Sequence, residues 1–207
     1  MARAPNGYYK SVFINAPFTP DRAALFNAMV FTVQAAGFAP RCARELDNAG
    51  QVRLDKIKDL IRTCHLGVHD ISFMALDGDV PRFNMPFELG LFLGASAFGD
   101  GWVARKACTI LDAEAFRYQR ALSDIAGQDI RTHALDAEQA SGQVRNWLSH
   151  HSRSKAPILG AVAIRGLYQA FEAELPDLAQ ANGLIADDLT FSERRYIAGA
   201  WLRDRVP

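Results

Sequence analysis

The sequence lacks most of the features that would settle its role at once. Its 207 residues contain three cysteines, Cys42, Cys64 and Cys108, far apart and with no CxxC among them. That excludes a disulfide framework and a zinc ribbon. All three lie beside apolar or small residues and read as buried free thiols. No charge of either sign is in excess: Lys and Arg total 23, and so do Asp and Glu. Without a net field, non-specific binding to nucleic acid or to an anionic membrane is not expected. No window of about 18 apolar residues occurs, so no membrane-spanning helix is expected. The opening MARAPNGYYK has no apolar core of a secretory signal. The expectation is a soluble, cytoplasmic protein. Phosphate-loop motifs are missing too. There is no GxxxxGK followed by Ser or Thr, and no GxGxxG after the first apolar run. GxSxG is absent, and no internal repeat stands out.

What is present is ordinary globular material. Hydrophobic residues make up 49% and charged residues 22%. This length suits one domain, with room for an appendage. SVFINAPF (Ser11–Phe18) is a short apolar run stopped by Pro17, hence a buried strand. Thr19, Pro20 and Asp21 then open a helix that Gly37 ends. FAPRCA is a weak second strand. GQVRLDKIKDLIRTC alternates apolar and charged residues as an amphipathic helix does. HLGVHDIS is a third strand, with Asp70 and Ser72 at its carboxyl end. A loop punctuated by Gly78 and Pro81 leads to a helix from about Met85 to Phe98. KACTILD and QDIRTHAL are further strands. A helix capped by a box from Asp136 to Gln139 follows.

Strands alternating with helices at this spacing predict an α/β fold: a flavodoxin-like or Rossmann-like open parallel sheet of about five strands, with helices on both faces. The predicted α/β domain spans residues 8–151. Residues 152–207 have no strand-like run, carry a second capping box at Thr190 and Glu193, and are too few for a core of their own. They are expected to pack on the sheet domain or on a second subunit.

In such folds ligands bind beyond the carboxyl ends of the strands. That selects Asn15, Ala16, Pro17 and Phe18 after the first strand, Asp70 and Ser72 after the third, and the loop before Glu88. One amide, one Pro and one ring suit a base or sugar better than a triphosphate; a plain strand-to-helix turn is equally compatible. His65 and His69 are four apart, but on a strand that places them roughly 13 Å apart, too far to share a metal. They read as structural, and no metal site is expected.

Glu88 is the awkward residue. It lies in PRFNMPFELGLFLGASAFGDG, between Phe87 and Leu89. Asn84 is suited to cap this helix and Pro86 to its first turn, so Glu88 falls near the positive end of the helix dipole, where an anion is favoured. Such a carboxylate can stay ionised among apolar neighbours, as a nucleophile must. Gly90 and Gly94 are expected to let the helix approach the sheet. From spacing alone, Glu88 reads as structural or as functional.

The ordered set of NAPF after the first strand, an Asp ending the third, and FELG opening a helix resembles the nucleoside 2-deoxyribosyltransferase family. The wider group includes TIR-like NAD glycohydrolases and nucleotide-glycosidase effectors of bacterial antiphage systems. The resemblance covers roughly Lys10 to Asp112. It implies an N-glycosidase or N-glycosyltransferase with Glu88 as the nucleophile that forms a glycosyl ester, and Asp70 as the residue that positions or protonates the base. Asn15, Ala16, Pro17, Phe18, Ser72, Asn84 and Met85 would line the site. It implies no cofactor, with NAD possible as a substrate beside deoxynucleotides and deoxynucleosides, and a homo-oligomer. Where the family has a second Asp, this chain has Arg82. That favours a phosphorylated substrate, since a guanidinium matches phosphate. The rival expectation is a nucleotide-binding sensor or regulatory module without turnover.

Overall fold

A computed structural model describes residues 3–45, 48–74, 76–77 and 80–206. Gly78, expected as loop punctuation, lies outside them. The strands are β1 (Ser11–Asn15), β2 (Ala39–Arg41), β3 (Leu66–Asp70), β4 (Leu76–Asp77), β5 (Val80–Pro81), β6 (Ala107–Asp112) and β7 (Ile130–Thr132). The helices are α1 (Ala23–Ala35), α2 (Arg53–Thr63), α3 (Asn84–Phe98), α4 (Ala137–Ser149), α5 (Ala161–Ala181) and α6 (Phe191–Arg203). Five strands form one parallel sheet in the order β2-β1-β3-β6-β7. This is the predicted α/β fold. The strand order reverses between β1 and β3, the place where a crevice opens in doubly wound sheets. β4 and β5 pair antiparallel as a separate two-stranded ribbon within the stretch expected to be loop.

The two faces of the sheet follow from side-chain alternation. Val12, Ile14, Leu66 and Val68 turn to one face and pack under α1 and α4. Phe13 turns to the other and packs with Ile57, Leu60 and Ile61 of α2 and Phe92 of α3. Gly67 matters here. A Cβ on it would lie 2.6 Å from His69 Nε2 and 2.9 Å from the Phe92 ring. Only a residue without a side chain lets α3 sit this close to β3. Lys106 is buried, and its ammonium donates to the carbonyls of Ile61 and Cys64 at the end of α2. Those carbonyls lack partners within the helix, so the lysine acts as its cap. Cys42 and Cys64 are buried as expected, whereas Cys108 is only partly so.

α1 is apolar nearly all round because it is covered twice. Leu25, Met29 and Val33 face the sheet and α4, while Phe31 and Ala35 pack against Ile164, Phe171, Ile197 and Trp201 of α5 and α6. The carboxyl-terminal helices therefore pack on the sheet domain. Gln34 Nε2 donates to the Arg195 carbonyl at 2.9 Å, which ties α6 to α1. The box predicted at the start of α6 forms, with Thr190 and Glu193 bonding reciprocally. At α4 the structure records one half of it, Gln139 N–H donating to Asp136.

Two expectations about α3 need correction. Asn84 is its first helical residue, not its cap, and no side chain caps it. Gly90 and Gly94 do not face the sheet either. The buried face of α3 is Glu88, Leu89 and Phe92, and a Cβ on Gly90 would meet nothing within 4 Å. At 100° per residue the glycines fall on the outward side. There they share a stripe with Phe83, Phe87 and Phe98, which are 52%, 54% and 90% exposed.

Candidate active site

Asn15 is the last residue of β1 and is buried. Its Nδ2 donates to the Met85 carbonyl at 2.9 Å and to His69 Nδ1 at 3.1 Å. This amide pins the start of α3 to the end of β1. Burial holds His69 neutral, with its pKa down at about 3, which suits its role as acceptor.

Beyond this anchor lies a cleft of about 280 Å³. Ala16, Pro17 and Phe18 form one wall, and Arg82, Asn84 and Met85 the other. Thr19, Arg53 and Phe73 complete it. The Arg82 and Arg22 guanidinium carbons lie 5.4 and 5.8 Å from the Phe73 ring centroid. The cleft thus combines aromatic surface with cations, a lining fit for a base and a phosphate. Arg53 and Phe73 escaped sequence reading. Arg53 looks like any charge on an amphipathic helix, and Phe73 like a loop residue.

Glu88 lies one helical turn beyond Met85 and is 4% exposed. It does not itself line the cleft. Burial raises its carboxyl pKa from 4.5 to about 7, with the Arg53 charge opposing the rise. The expectation that the helix terminus keeps it fully ionised is therefore corrected. Glu88 is the fifth residue of α3, past the open end of the helix, since the Phe87 N–H already donates to the Phe83 carbonyl at 2.9 Å. Desolvation outweighs the dipole there.

Asp70 and Ser72 belong to a separate network on the other side of β3. Asp70 is fully buried, and its Oδ1 accepts from the Ser72 N–H at 2.9 Å. His133 Nε2 lies 3.3 Å from the same oxygen. The Leu135 N–H donates to His133 Nδ1 at 3.0 Å, so the ring proton sits on Nε2 and points at Asp70. That contact needs left-handed backbone at Ala134 and Leu135, with φ of 49° and 60°. Such torsions cost non-glycine residues free energy and persist where surroundings impose them. Next to it, Asp112 ends β6. Its Oδ1 accepts from the Arg117 Nε at 2.9 Å, and Arg117 also donates to the Ser72 carbonyl at 2.8 Å. Asp70 Oδ2, Asp112 Oδ2 and Ser72 Oγ are buried without partners among the described residues.

The structure thus gathers Ala16, Pro17, Phe18, Arg82, Asn84 and Met85 round one cleft, with Asn15 and Glu88 behind it. Asp70 and Ser72 stand apart from this lining, and neither Asp70 nor Glu88 lines the cleft. His133, Asp112 and Arg117 were missed. Asp112 was findable, since it ends a strand just as Asp70 does. Among the described residues no group of three or more His, Cys, Asp or Glu is arranged to hold a metal. Nor is any of their helices long and apolar enough to cross a membrane. Compared with known proteins, the chain matches no family model, and no curated protein matches it either.

Proposed function

We propose that the chain is an N-glycosidase or N-glycosyltransferase acting on a phosphorylated nucleoside in the cleft of Phe18, Phe73, Arg53 and Arg82. The observation that carries this reading is Glu88: a buried carboxylate one turn behind the cleft, with a pKa brought to about 7. An apolar residue would pack there at lower cost, because burial disfavours an ionised carboxylate. Perturbed groups beside a cleft mark chemistry more often than packing.

In the proposed reaction the Glu88 carboxylate attacks the anomeric carbon. The bond from that carbon to the base nitrogen breaks, and its electron pair leaves with the base, which takes up a proton. Water or a second base then displaces the ester and returns the carboxylate. Asp70 does not line the cleft and has no step in this reading; the proton taken up by the base comes from water. At about 280 Å³ the cleft is at the small end for ligand sites. It encloses one base and sugar; with NAD the second nucleotide would lie outside. Any role as a defence effector rests on the family resemblance alone.

One observation favours the rival reading, a nucleotide-binding sensor. Arg53 and Arg82 line the cleft and Glu88 does not. Incubation of the wild type and Glu88→Gln with NAD, deoxynucleotides and deoxynucleosides, with chromatography of the released base, decides between them. Release that Glu88→Gln abolishes supports the glycosidase. Binding without release from any substrate supports the sensor.

Self-association is part of the proposal. The outward stripe of Phe83, Phe87, Gly90, Gly94 and Phe98 on α3 pairs rings with gaps, a shape that a second copy can match about a two-fold axis. Sedimentation of wild type and Phe87→Glu tests it: a species that is monomeric in both removes this part.

A further inference from the structure

A second cavity, of about 430 Å³, lies between α1 and the carboxyl-terminal helices. It is larger than the cleft and falls within the ordinary range for small-molecule sites. The two cavities share Phe18 as a wall. The Phe18 ring meets Phe26 edge-on at 5.1 Å. Phe26, Phe31, Tyr168, Phe171 and Phe191 supply further aromatic lining.

Three arginines also line this cavity, and each lies near one of its rings. Arg44 is 5.7 Å from the Phe18 centroid, Arg194 is 5.7 Å from that of Phe171, and Arg195 is 5.6 Å from that of Phe191. Their charges are unequally compensated. Arg194 pairs with Glu172. Arg195 reaches Glu45 at 3.5 Å, a carboxylate that Arg41 already holds. Arg44 is exposed and makes no ion pair among the described residues. Asp187, the acid in the lining, is exposed.

We propose that this cavity binds a planar nitrogenous ring carrying an anion, of the nucleoside monophosphate class. The ring lies against Phe18 and Tyr168, the two lining rings that are partly exposed, and the phosphate lies at Arg44 and Arg195. The site is distinct from the cleft and stands whether or not the cleft is catalytic. It also gives the carboxyl-terminal helices a role, since α5, α6 and the turn between them form one wall.

The test is calorimetric titration with adenosine, guanosine, cytidine and uridine 5′-monophosphates, with the nucleosides and inorganic phosphate as controls. The expected result is binding of at least one monophosphate, at least tenfold tighter than its nucleoside and than phosphate. Arg44→Glu should weaken it at least tenfold. Ala23→Trp, at an exposed position in the lining, should abolish it. Both substitutions are at exposed positions, and unchanged circular dichroism checks that the variants fold. With Arg53→Ala, which weakens any binding in the cleft, the Arg44-dependent binding event should keep its affinity within twofold, which separates this site from the cleft. No binding of any monophosphate overturns the proposal. So does binding that Arg53→Ala weakens and Arg44→Glu does not, and so does a nucleoside or phosphate alone binding as tightly.

Discussion

Asp70 and Glu88 are both buried near the carboxyl edge of the sheet, on opposite sides of β3, and their surroundings treat them oppositely. Asp70 is met by donors: the Ser72 N–H and a histidine whose tautomer is set by the next turn of chain. Beside it Asp112 is met by Arg117 and the Ala113 N–H. Glu88 is buried, with the Arg53 charge opposing the effect, and its pKa climbs to about 7. A carboxylate held by donors is already spent on holding strand ends together. One with a pKa raised by burial holds its proton to higher pH and costs stability once ionised. The contrast separates a carboxylate tied into the strand ends from one governed by burial.

The comparison can be broken from either side. The largest expected effect is on turnover: Glu88→Gln should lower base release at least 1,000-fold, about 4 kcal/mol in barrier, read by single-turnover chromatography. A loss under tenfold would mean that Glu88 is not the nucleophile. On the framework side, Asp112→Ala strands Arg117 and should cost about 3 kcal/mol in urea unfolding. A cost near zero would remove the claim that the Asp112–Arg117 pair holds the β3 and β6 ends.

Next comes a pH signature of Glu88. Its folded pKa is raised, so the native state binds more protons than the unfolded chain between about 4.5 and 7. Stability therefore falls as pH rises through that window and levels off above it. Glu88→Gln removes the penalty and should be more stable than wild type at pH 8 by roughly 2–3 kcal/mol. Equal melting curves at pH 8 would show that the carboxylate is better solvated than its burial implies. In the wild type, base release should rise with pH through about 7 as Glu88 ionises. The smallest expected effect sharpens the same point. Arg53 lowers the Glu88 pKa, so Arg53→Ala should move that rising limb to higher pH. A limb that stays in place would detach Arg53 from Glu88.

Much of the fold was legible. Apolar runs such as Ser11–Asn15 and Leu66–Asp70 announce buried strands, and the pattern of α2 announces its buried face. The cleft walls at Ala16–Phe18 and Arg82–Met85 were legible too, because in this fold the useful residues follow strand ends. Other features were not. His133 follows a three-residue strand and looks like any loop histidine; only the turn at Ala134 and Leu135 aims it at Asp70. Gly90 and Gly94 looked like a packing device, yet the rotation of α3 about its axis turns them outward. Local spacing does not set that rotation. The burial of Leu89 and Phe92 does.

By itself the sequence determined the alternation of strands and helices, hence the parallel sheet and the edge at which ligand groups collect. Periodicity and turn residues act over a few neighbours, so they are readable along the chain. What only the tertiary structure decided is charge and partnership. It buried Glu88, gave Asp70 a histidine 63 residues away, and closed a second cavity between α1 and helices more than 120 residues later. Those outcomes depend on desolvation and on contacts distant in sequence, and neither is written in any local pattern.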